Sequence, residues 1–455
     1  MNKLYLMRHS ISIGNEENIV QGDIDYGLST NGKKMINQID FKKIKDVKNI
    51  YSSSYARAVE TASIIKEKIK FNNSIIIEDC LKEKSAGILN GKSKEYLKKY
   101  LDEYYNIYIK RGDYDNIPRA EKWEVTQARA IAFLERYIFN DNCNDLVISH
   151  AAYMRTLINL IEYRDRNTQI DLPNLCIYEF DNPIKKLKIK NYNIAKTSVV
   201  KRVTTYDKKY IIKKVPSKLS VYDYMINDLL EYLNKFVCVP RELYMKENNS
   251  YSIKVFGYID GHHLYGKLSD EKINQLMKTV YRLSMSLSNY QNAHSFKYKD
   301  IISDLFEIKK KLKTNKYNDI IEKLINDSEF NDYLKNAKYI LVHNDLHRSN
   351  ILFNKNEISF LDFDGIKLCP ELLQLSSFIA TCFILEECNC DINKIIQKWP
   401  VCVNQRLLNK FIIYRLLYGI AFFETKTNFD YSDLEIKKKY QRALRRMMKY
   451  EKDYN

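Results

Sequence analysis

Arg8 and His9 follow directly on the apolar run KLYLM of residues 3–7. If that run is a strand of a parallel sheet, the pair stands at the carboxyl edge, where such sheets deliver functional side chains. A histidine there can act as a nucleophile. Beside an arginine, it can attack a phosphoryl group whose oxygens the guanidinium neutralises through paired hydrogen bonds. A second concentration lies far downstream. Of seven histidines, His343 and His347 sit in YILVHNDLHRSNILF, with Asp345 between them and Asn350 five residues after Asp345. The run FLDFDG then adds Asp362 and Asp364.

The elements that must position these residues are legible in the apolar pattern. Residues 3–7, 49–53, 74–78 and 145–149 are short β-branched or aromatic runs closed by polar or small residues, and read as buried strands. Between them, residues 55–69 carry Ala58, Ala62, Ile65 and Ile69 at helical spacing, and residues 125–138 follow the same period. Strands alternating with helices predict an α/β domain with a mainly parallel, helix-covered sheet. Runs 175–180 and 186–192 flank Asp181-Asn182-Pro183 and predict an edge hairpin that closes this domain near residue 193. The pattern then changes to α+β: strands at 198–203, 209–215, 242–246 and 251–257 around a helix at 220–235. Helices dominate from 270 onward, broken by strands at 339–343, 351–354 and 358–361. Two domains, 1–193 and 194–455, account for the chain.

Composition narrows the class. With 455 residues, 45% hydrophobic and 29% charged, the chain is ordinary globular material. Its apolar runs stop well short of the ~18 residues that cross a bilayer. MNKLYLMRHS lacks the apolar stretch of a signal peptide, which predicts a cytoplasmic protein. The nine cysteines are scattered without CxxC spacing, and the close pair Cys388 and Cys390 has no histidine neighbour, so incidental thiols are expected. A net charge of +17 admits nucleic acid as a partner without favouring it, because the lysines are spread rather than blocked. At the basic C-terminal end, Leu434, Tyr440, Leu444 and Met447 share one helical face and predict a packed final helix. Glycine is scarce, with 12 residues, so each one carries positional meaning.

The run LMRHSISIGNEENIVQGDIDYGLSTNGKKM, with Arg8, His9, Asn15, Gly22, Leu28, Ser29 and Gly32, resembles the opening of the histidine phosphatase (phosphoglycerate mutase-like) superfamily. SSSYARAVETA resembles its second arginine motif, LKEKSAGILNG its acid motif, and VISHAAYMR its second histidine motif. Arg119-Ala120-Glu121, with Arg129 eight residues after Glu121, fits the helix start between them. The resemblance implies that Arg8, Asn15, Arg57 and His150 hold a phosphoryl group while His9 becomes a phosphohistidine. Glu83 would protonate the leaving oxygen and then assist water. It implies no cofactor for this half. Ser10 stands in place of the family's usual glycine, and Leu89-Asn90 in place of its common aromatic-acid pair; both bear on substrate selectivity.

The spacing of Asp345, Asn350 and Asp362 is that of a kinase catalytic loop followed by a metal-binding acid, and HNDLHRSN resembles the loop of the aminoglycoside phosphotransferase and choline kinase superfamily. That implies an α+β, bilobal, protein-kinase-like domain using ATP and Mg2+. Asp345 would deprotonate the acceptor hydroxyl, and Asn350 and Asp362 would hold the metal. Asp364 is either a second ligand or a loop-stabilising acid. KKYIIKKVP resembles the strand of the phosphate-binding lysine, with Lys213 favoured over Lys214 by register. AKTSVVKRV would cover the phosphates through Thr197 and Ser198, and VFGYIDGHHL would offer backbone near Phe256 and Tyr258 to adenine. Asp223 and Asp228 are the acids available to Lys213, and neither is singled out. Asn344 stands where glycine is frequent.

The two resemblances together imply a bifunctional phosphoryl-transfer enzyme, with phosphohistidine-mediated phosphomonoester hydrolysis and ATP-dependent phosphorylation of a small-molecule hydroxyl, a sugar or amino alcohol. Its partners would be a phosphorylated small molecule and a hydroxyl acceptor. A nucleic-acid end-processing kinase/phosphatase and a regulatory binding protein with an inactive domain are the alternatives.

Overall fold

A computed structural model describes residues 3–44, 46–110, 114–139, 144–192, 198–248, 250–264, 266, 268–355, 357–385, 392–426 and 431–454. Two compact units emerge: Met1–Leu219 with Glu242–Tyr258, and Ser220–Arg241 with Ile259–Asn455.

The first unit holds two five-stranded sheets. One runs in the order Ile76–Ile77, Asn49–Ser52, Asn144–Ser149, Lys3–Arg8, Ile177–Asp181, the first four strands parallel and the last antiparallel. Alternation along the strands sends successive side chains to opposite faces. Tyr5, Met7, Ile50, Leu146 and Ile148 pack with Ile36, Ala58, Ala62 and Ile65 of the helices Thr30–Gln38 and Ala56–Lys68. Leu4, Leu6, Tyr51 and Val147 pack with Ala128, Phe133, Tyr153 and Leu157 of the helices Trp123–Phe133 and Ala151–Ile161. The sheet is therefore mainly parallel and helix-covered on both faces.

The expected edge hairpin does not form. Ile177–Asp181 pairs with Lys3–Arg8, whereas Lys188–Tyr192 pairs with Val199–Thr204 in the second sheet. Two consecutive turns, closed by Lys185 N–H to Asn182 O and Leu187 N–H to Ile184 O, separate the runs, and buried Pro183 and Leu187 pin the crossing. Each strand forms an edge of its sheet.

The second sheet is antiparallel throughout, in the order Glu242–Glu247, Ser252–Gly257, Lys209–Val215, Val199–Thr204, Lys188–Tyr192. Its apolar face, with Val203, Tyr210, Ile212, Leu243, Ile253 and Val255, joins the same core as Ala130, Ile131, Phe133, Leu134 and Tyr137. The helix Trp123–Phe133 is thus buried on all sides, Thr126 to Phe133 without a break, as a helix wedged between two sheets must be. Polar links reinforce the junction: Lys201 Nζ donates to Ile138 O (2.6 Å), and Tyr251 and Asn248 donate to the buried Glu135 carboxylate (2.7 and 3.2 Å).

The second unit is largely helical, with short strand pairs Tyr339–Val342 on Lys367–Pro370 and His262–His263 on Ile351–Asn354 on Glu357–Phe360. The final helix Tyr431–Tyr454 packs as expected, burying Tyr440, Ala443, Leu444 and Met447. The Tyr440 ring lies over Gly419, where a Cβ would meet it at 2.2 Å. Among the described residues, no helix is long and apolar enough to cross a membrane. Cys388 and Cys390 lie outside the described residues.

Candidate active sites

Register places the first site. Arg8 pairs with Ser149, so the next residues, His9 and His150, leave adjacent parallel strands at the same carboxyl edge. Their rings stand 5.1 Å apart, centroid to centroid, and both are buried. His9 Nδ1 lies 2.6 Å from Ser10 O. A carbonyl only accepts, so Nδ1 carries the proton and Nε2 keeps its lone pair. Burial pushes the His9 ring well below its ordinary value, and Arg8 and Arg57 push the same way, so the imidazole is neutral.

Arg57, from the first turn of the helix Ala56–Lys68, is buried. Its Nε donates to His150 Nδ1 (3.2 Å), and its Nη1 and Nη2 donate to the carbonyls of Ile24 and Gly22 (2.9 and 3.1 Å). Because Arg57 can only donate, His150 carries its proton on Nε2 and gives it to Ser53 Oγ at 2.7 Å. Gly22 has a positive φ of 54°, and a Cβ there would meet Asn90 Oδ1 at 1.9 Å. Arg8, partly buried, donates from Nη1 to Leu172 O at 2.6 Å. Asn174 Nδ2 donates to His9 O (2.8 Å) and approaches Asn15 Oδ1 (3.5 Å), which also accepts from Ser12 N–H and Oγ.

Glu83 reaches the start of the helix Ala151–Ile161. Its carboxylate accepts from the N–H groups of Ala152 (3.2 Å) and Tyr153 (2.9 Å), the second and third residues after His150, and from Lys84 N–H (2.9 Å). The segment before it is held by Arg129. That guanidinium is bidentate on Glu121 (2.7 and 2.8 Å) and donates from Nη1 to the carbonyls of Cys80 and Lys82 (2.8 and 3.0 Å). Arg8, His9, Asn15, Arg57, Glu83 and His150 thus converge on one sheet edge.

The second site forms where two strand ends are tied together. His343, fully buried, donates from Nε2 to Leu361 O (2.9 Å), and Leu361 N–H donates to Asn350 O (2.8 Å). Asn350 Nδ2 donates to Asp345 O at 2.9 Å. Asp345, Asn350 and Asp362 are thereby gathered in one loop cluster. Asn344 takes a φ of +60°, the conformation glycine would supply, and Asp362 a φ of +63°. Asp345 is half exposed. Its Oδ2 stands 3.6 Å from His347 Nε2 and its Oδ1 3.4 Å from Arg415 Nη2. Burial acts to raise the Asp345 carboxyl, but the His347 ring and Arg415 outweigh it and hold it below the usual carboxylate range.

The remaining candidate residues belong to the second sheet. Lys213 pairs with Val200 and Lys254, on the face opposite Tyr210 and Ile212. Lys214 takes the apolar face, its Nζ 3.8 Å from the Tyr251 ring centroid. Ser198 is buried, and its hydroxyl has no hydrogen-bond partner among the described residues; Thr197 lies outside them. Phe256 sits mid-ladder between Ile211 and Glu242, and Tyr258 N–H donates to Lys209 O at 3.2 Å, so that amide is occupied. Asp223 is bound up in capping its own helix through Ser220, and Asp228 accepts from the Tyr290 hydroxyl. Glu242, buried and in register with Phe256, shares the sheet face of Lys254 and Lys213. Among the described residues, no group of three or more His, Cys, Asp or Glu could hold a metal.

Three histidines are buried neutral: burial lowers His9, His150 and His343, the last against an opposing pull from Asp345. The unfolded chain binds protons at these positions near pH 6.5 that the folded chain does not, so stability rises with pH through that value and falls below it. Urea unfolding at pH 5.5 is expected to show a lower midpoint than at pH 7.5, reflecting a loss of up to about 1.4 kcal/mol of stability per group. Equal midpoints would contradict the buried neutral state.

Residues 4–195 match the family described as histidine phosphatase superfamily, branch 1. The 2,3-bisphosphoglycerate-dependent phosphoglycerate mutase of Buchnera aphidicola subsp. Cinara cedri is 31% identical over 226 residues, covering 41% of this chain and 96% of that protein. The chain belongs to the histidine phosphatase superfamily. Among solved structures, the phosphoserine phosphatase of Entamoeba histolytica in complex with 3-phosphoglyceric acid is 24% identical, with a TM-score of 0.34, over 40% of this chain and 91% of that one. A spectinomycin phosphotransferase in complex with ADP and spectinomycin is 16% identical, with a TM-score of 0.41, over 56% of this chain and 88% of that one.

Within the histidine phosphatase part, the two departures noted in the sequence have local explanations. Ser10 is not among the positive-φ residues, and its Oγ donates to Gly32 O (2.7 Å) while its N–H donates to Thr61 Oγ1 (3.1 Å). Asn90 ties the acid-motif loop together, accepting from Ala86 N–H (2.9 Å) and donating to Asp23 and Ser85 (2.5 and 2.9 Å). Ser53, Thr61 and Asn174 escaped sequence reasoning, because a small polar residue in a loop carries no signal until its distant partner is known.

Proposed function

We propose that the chain is a bifunctional phosphoryl-transfer enzyme: a phosphohistidine phosphatase in its N-terminal part and an ATP-dependent small-molecule kinase in the remainder. The observation that carries the first activity is the neutral His9, its Nε2 lone pair freed by the Nδ1 bond to Ser10, beside Arg8 and Arg57. Nε2 attacks phosphorus, the bond to the leaving oxygen breaks, and Glu83 protonates that oxygen. Water then attacks the phosphohistidine, gives its proton to Glu83 and releases phosphate. Arg8, Asn15, Arg57 and His150 hold the oxygens in flight.

For the second activity, the acceptor oxygen attacks the γ-phosphorus, the bond to the β-bridging oxygen breaks with ADP departing, and the hydroxyl proton passes to Asp345. Asn350 and Asp362 fit a magnesium ion: the Asn350 Nδ2 is spent on Asp345 O, which leaves its amide oxygen, and an amide oxygen with a carboxylate is a hard donor set. Magnesium bound there would neutralise phosphate oxygens. Lys213, Ser198 and Thr197 are assigned to the nucleotide phosphates, and the backbone near Phe256 and Tyr258 to adenine. The acceptor is a small hydroxyl compound, a sugar or an amino alcohol, and the phosphatase acts on a phosphorylated small molecule.

Two assays test the reading: phosphate release from p-nitrophenyl phosphate without metal, and transfer from γ-labelled Mg-ATP to a panel of hydroxyl compounds. Asp345→Asn is expected to cut transfer about 10²–10⁴-fold, the scale of a positioned base, with release from p-nitrophenyl phosphate unchanged. Transfer indifferent to Asp345→Asn would end the kinase assignment.

A further inference from the structure

Beside Asp345 the second unit carries a buried cationic pair that the phosphoryl chemistry does not use. Arg415, in the helix Gln405–Thr425, has only 8% of its side chain exposed. Its Nη2 stands 3.4 Å from Asp345 Oδ1, its guanidinium carbon lies 5.3 Å from the Tyr418 ring centroid, and its buried Nε has no hydrogen-bond partner among the described residues. Lys299 is also buried. Its Nζ lies 4.4 Å from the centroid of Tyr418, 3.5 Å from Asn344 Oδ1 and 3.2 Å from Asp304 Oδ2. Asp304 is shared with the Tyr414 hydroxyl, which donates to it at 2.7 Å. Both cations thus stand against the Tyr418 ring, and among the described residues Lys299 is ion-paired with Asp304 and Arg415 with Asp345.

An arginine whose task is only to hold Asp345 would make short, paired contacts of about 2.7–2.9 Å. Among the described residues, a single approach at 3.4 Å to a half-exposed carboxylate leaves its other donors, the buried Nε included, unmet. A guanidinium withdrawn from water is stable only when those donors are met by an acceptor, preferably a charged one. The guanidinium also stands within reach of the carboxylate that must receive the hydroxyl proton.

We propose that Arg415, supported by Lys299 and Tyr418, binds an oxyanion of the acceptor, a carboxylate or a phosphate, and so presents a nearby hydroxyl of the same molecule to Asp345. This rests on the kinase reading and narrows it: the acceptor is a hydroxy acid or a phosphorylated alcohol rather than an ammonium-bearing one. The transfer is the one written above, with a nucleoside triphosphate as donor and the acceptor's oxyanion untouched.

Four three-carbon alcohols that differ in one end group test it with Mg-ATP: glycerol, glycerate, glycerol 3-phosphate and 3-amino-1,2-propanediol. Glycerate or glycerol 3-phosphate is expected to exceed glycerol and the amine by about tenfold to a hundredfold in kcat/KM, the scale of hydrogen bonds to a charged group, and which of the two leads identifies the oxyanion. Arg415→Met should collapse that ratio mainly through KM, and Arg415→Lys should restore part of it. Preference for the amine or for glycerol, or an unchanged ratio in Arg415→Met, overturns the anion site and leaves the kinase reading standing. Equilibrium dialysis of labelled glycerate and glycerol 3-phosphate with the full-length protein separates the two ideas if nothing is phosphorylated. One bound anion fewer per chain in Arg415→Met upholds the site while the kinase reading fails, and equal binding overturns the site.

Discussion

His9→Asn is expected to lower phosphate release from p-nitrophenyl phosphate by about 10⁴-fold or more, the scale on which losing the nucleophile cripples covalent catalysts. Asparagine is the informative replacement. Its side-chain amide can still donate toward Ser10 O, where His9 Nδ1 now stands at 2.6 Å, but no atom replaces the Nε2 lone pair. The cationic surroundings remain: Arg57 still binds the carbonyls of Gly22 and Ile24, and His150 still meets Ser53. The variant should therefore bind phosphate and yet form no phosphoenzyme. Rapid quenching in base, which preserves phosphohistidine, should trap label on the wild type and none on the variant. Release within tenfold of wild type would mean that water attacks directly, and the covalent route would have to be abandoned.

A fragment ending at residue 193 is expected not to fold. The apolar side of the second sheet supplies six side chains, Val203, Tyr210, Ile212, Leu243, Ile253 and Val255, to the core of the helix Trp123–Phe133. At ~1.5–3 kcal/mol each, their burial is on the order of 10 kcal/mol, as large as the whole stability of an ordinary domain, ~5–15 kcal/mol. Polar losses add to this. Buried Glu135 would lose Tyr251 and Asn248, and Glu78 would lose Lys246, 3.4 Å away. Glu78 would keep Arg136 at 3.3 Å, but a buried Glu135 carboxylate deprived of these two donors is itself destabilising. A fragment of residues 1–258 keeps both sheets, although residues 220–241 then lack their own unit. The test is cooperative urea unfolding and near-ultraviolet dichroism. The longer fragment should show a sharp transition and the shorter one aggregation or a broad, non-cooperative loss of signal. A cooperative 1–193 fragment would show that the shared core is dispensable.

Much of this arrangement could be read from residue order because its signals are local. Strand runs and helical spacing placed the elements of the first sheet, Arg8 and His9 were legible at its carboxyl edge, and short motifs singled out Arg57, Glu83 and His150. Pairing partners are not local. The runs around Asp181-Asn182-Pro183 look like a hairpin in sequence, yet each joins a different sheet, because the competing edges lie far along the chain. The sequence QARAIAF within Trp123–Phe133 contained an unread clue. A helix without a polar face needs cover on every side, and only the second sheet shows what provides it. Asn344 was legible as a glycine substitute and takes a positive φ of 60°. Arg415 was not legible, since its neighbour Asp345 is 70 residues away.

The in-register pairing of Arg8 with Ser149 bears on how such an enzyme acquires new substrates. Backbone hydrogen bonds between two parallel strands fix the histidine pair, and nothing in that ladder depends on the identity of the long segment running between them. Within that segment the helix Asp102–Ile109 has no fully buried residue and carries Tyr104, Tyr105 and Tyr108. Tyr104, Tyr105, Ile107 and Tyr108 pack against Val20, Ala86, Leu89 and Leu97, and Tyr108 stands near enough to Glu83 and Arg8 to feel their charges, so new side chains here alter the surroundings of the site and not the strands that hold the histidine pair. Evolvability is thereby separated from chemistry, and a library randomised over residues 102–109 is the economical place to seek altered selectivity.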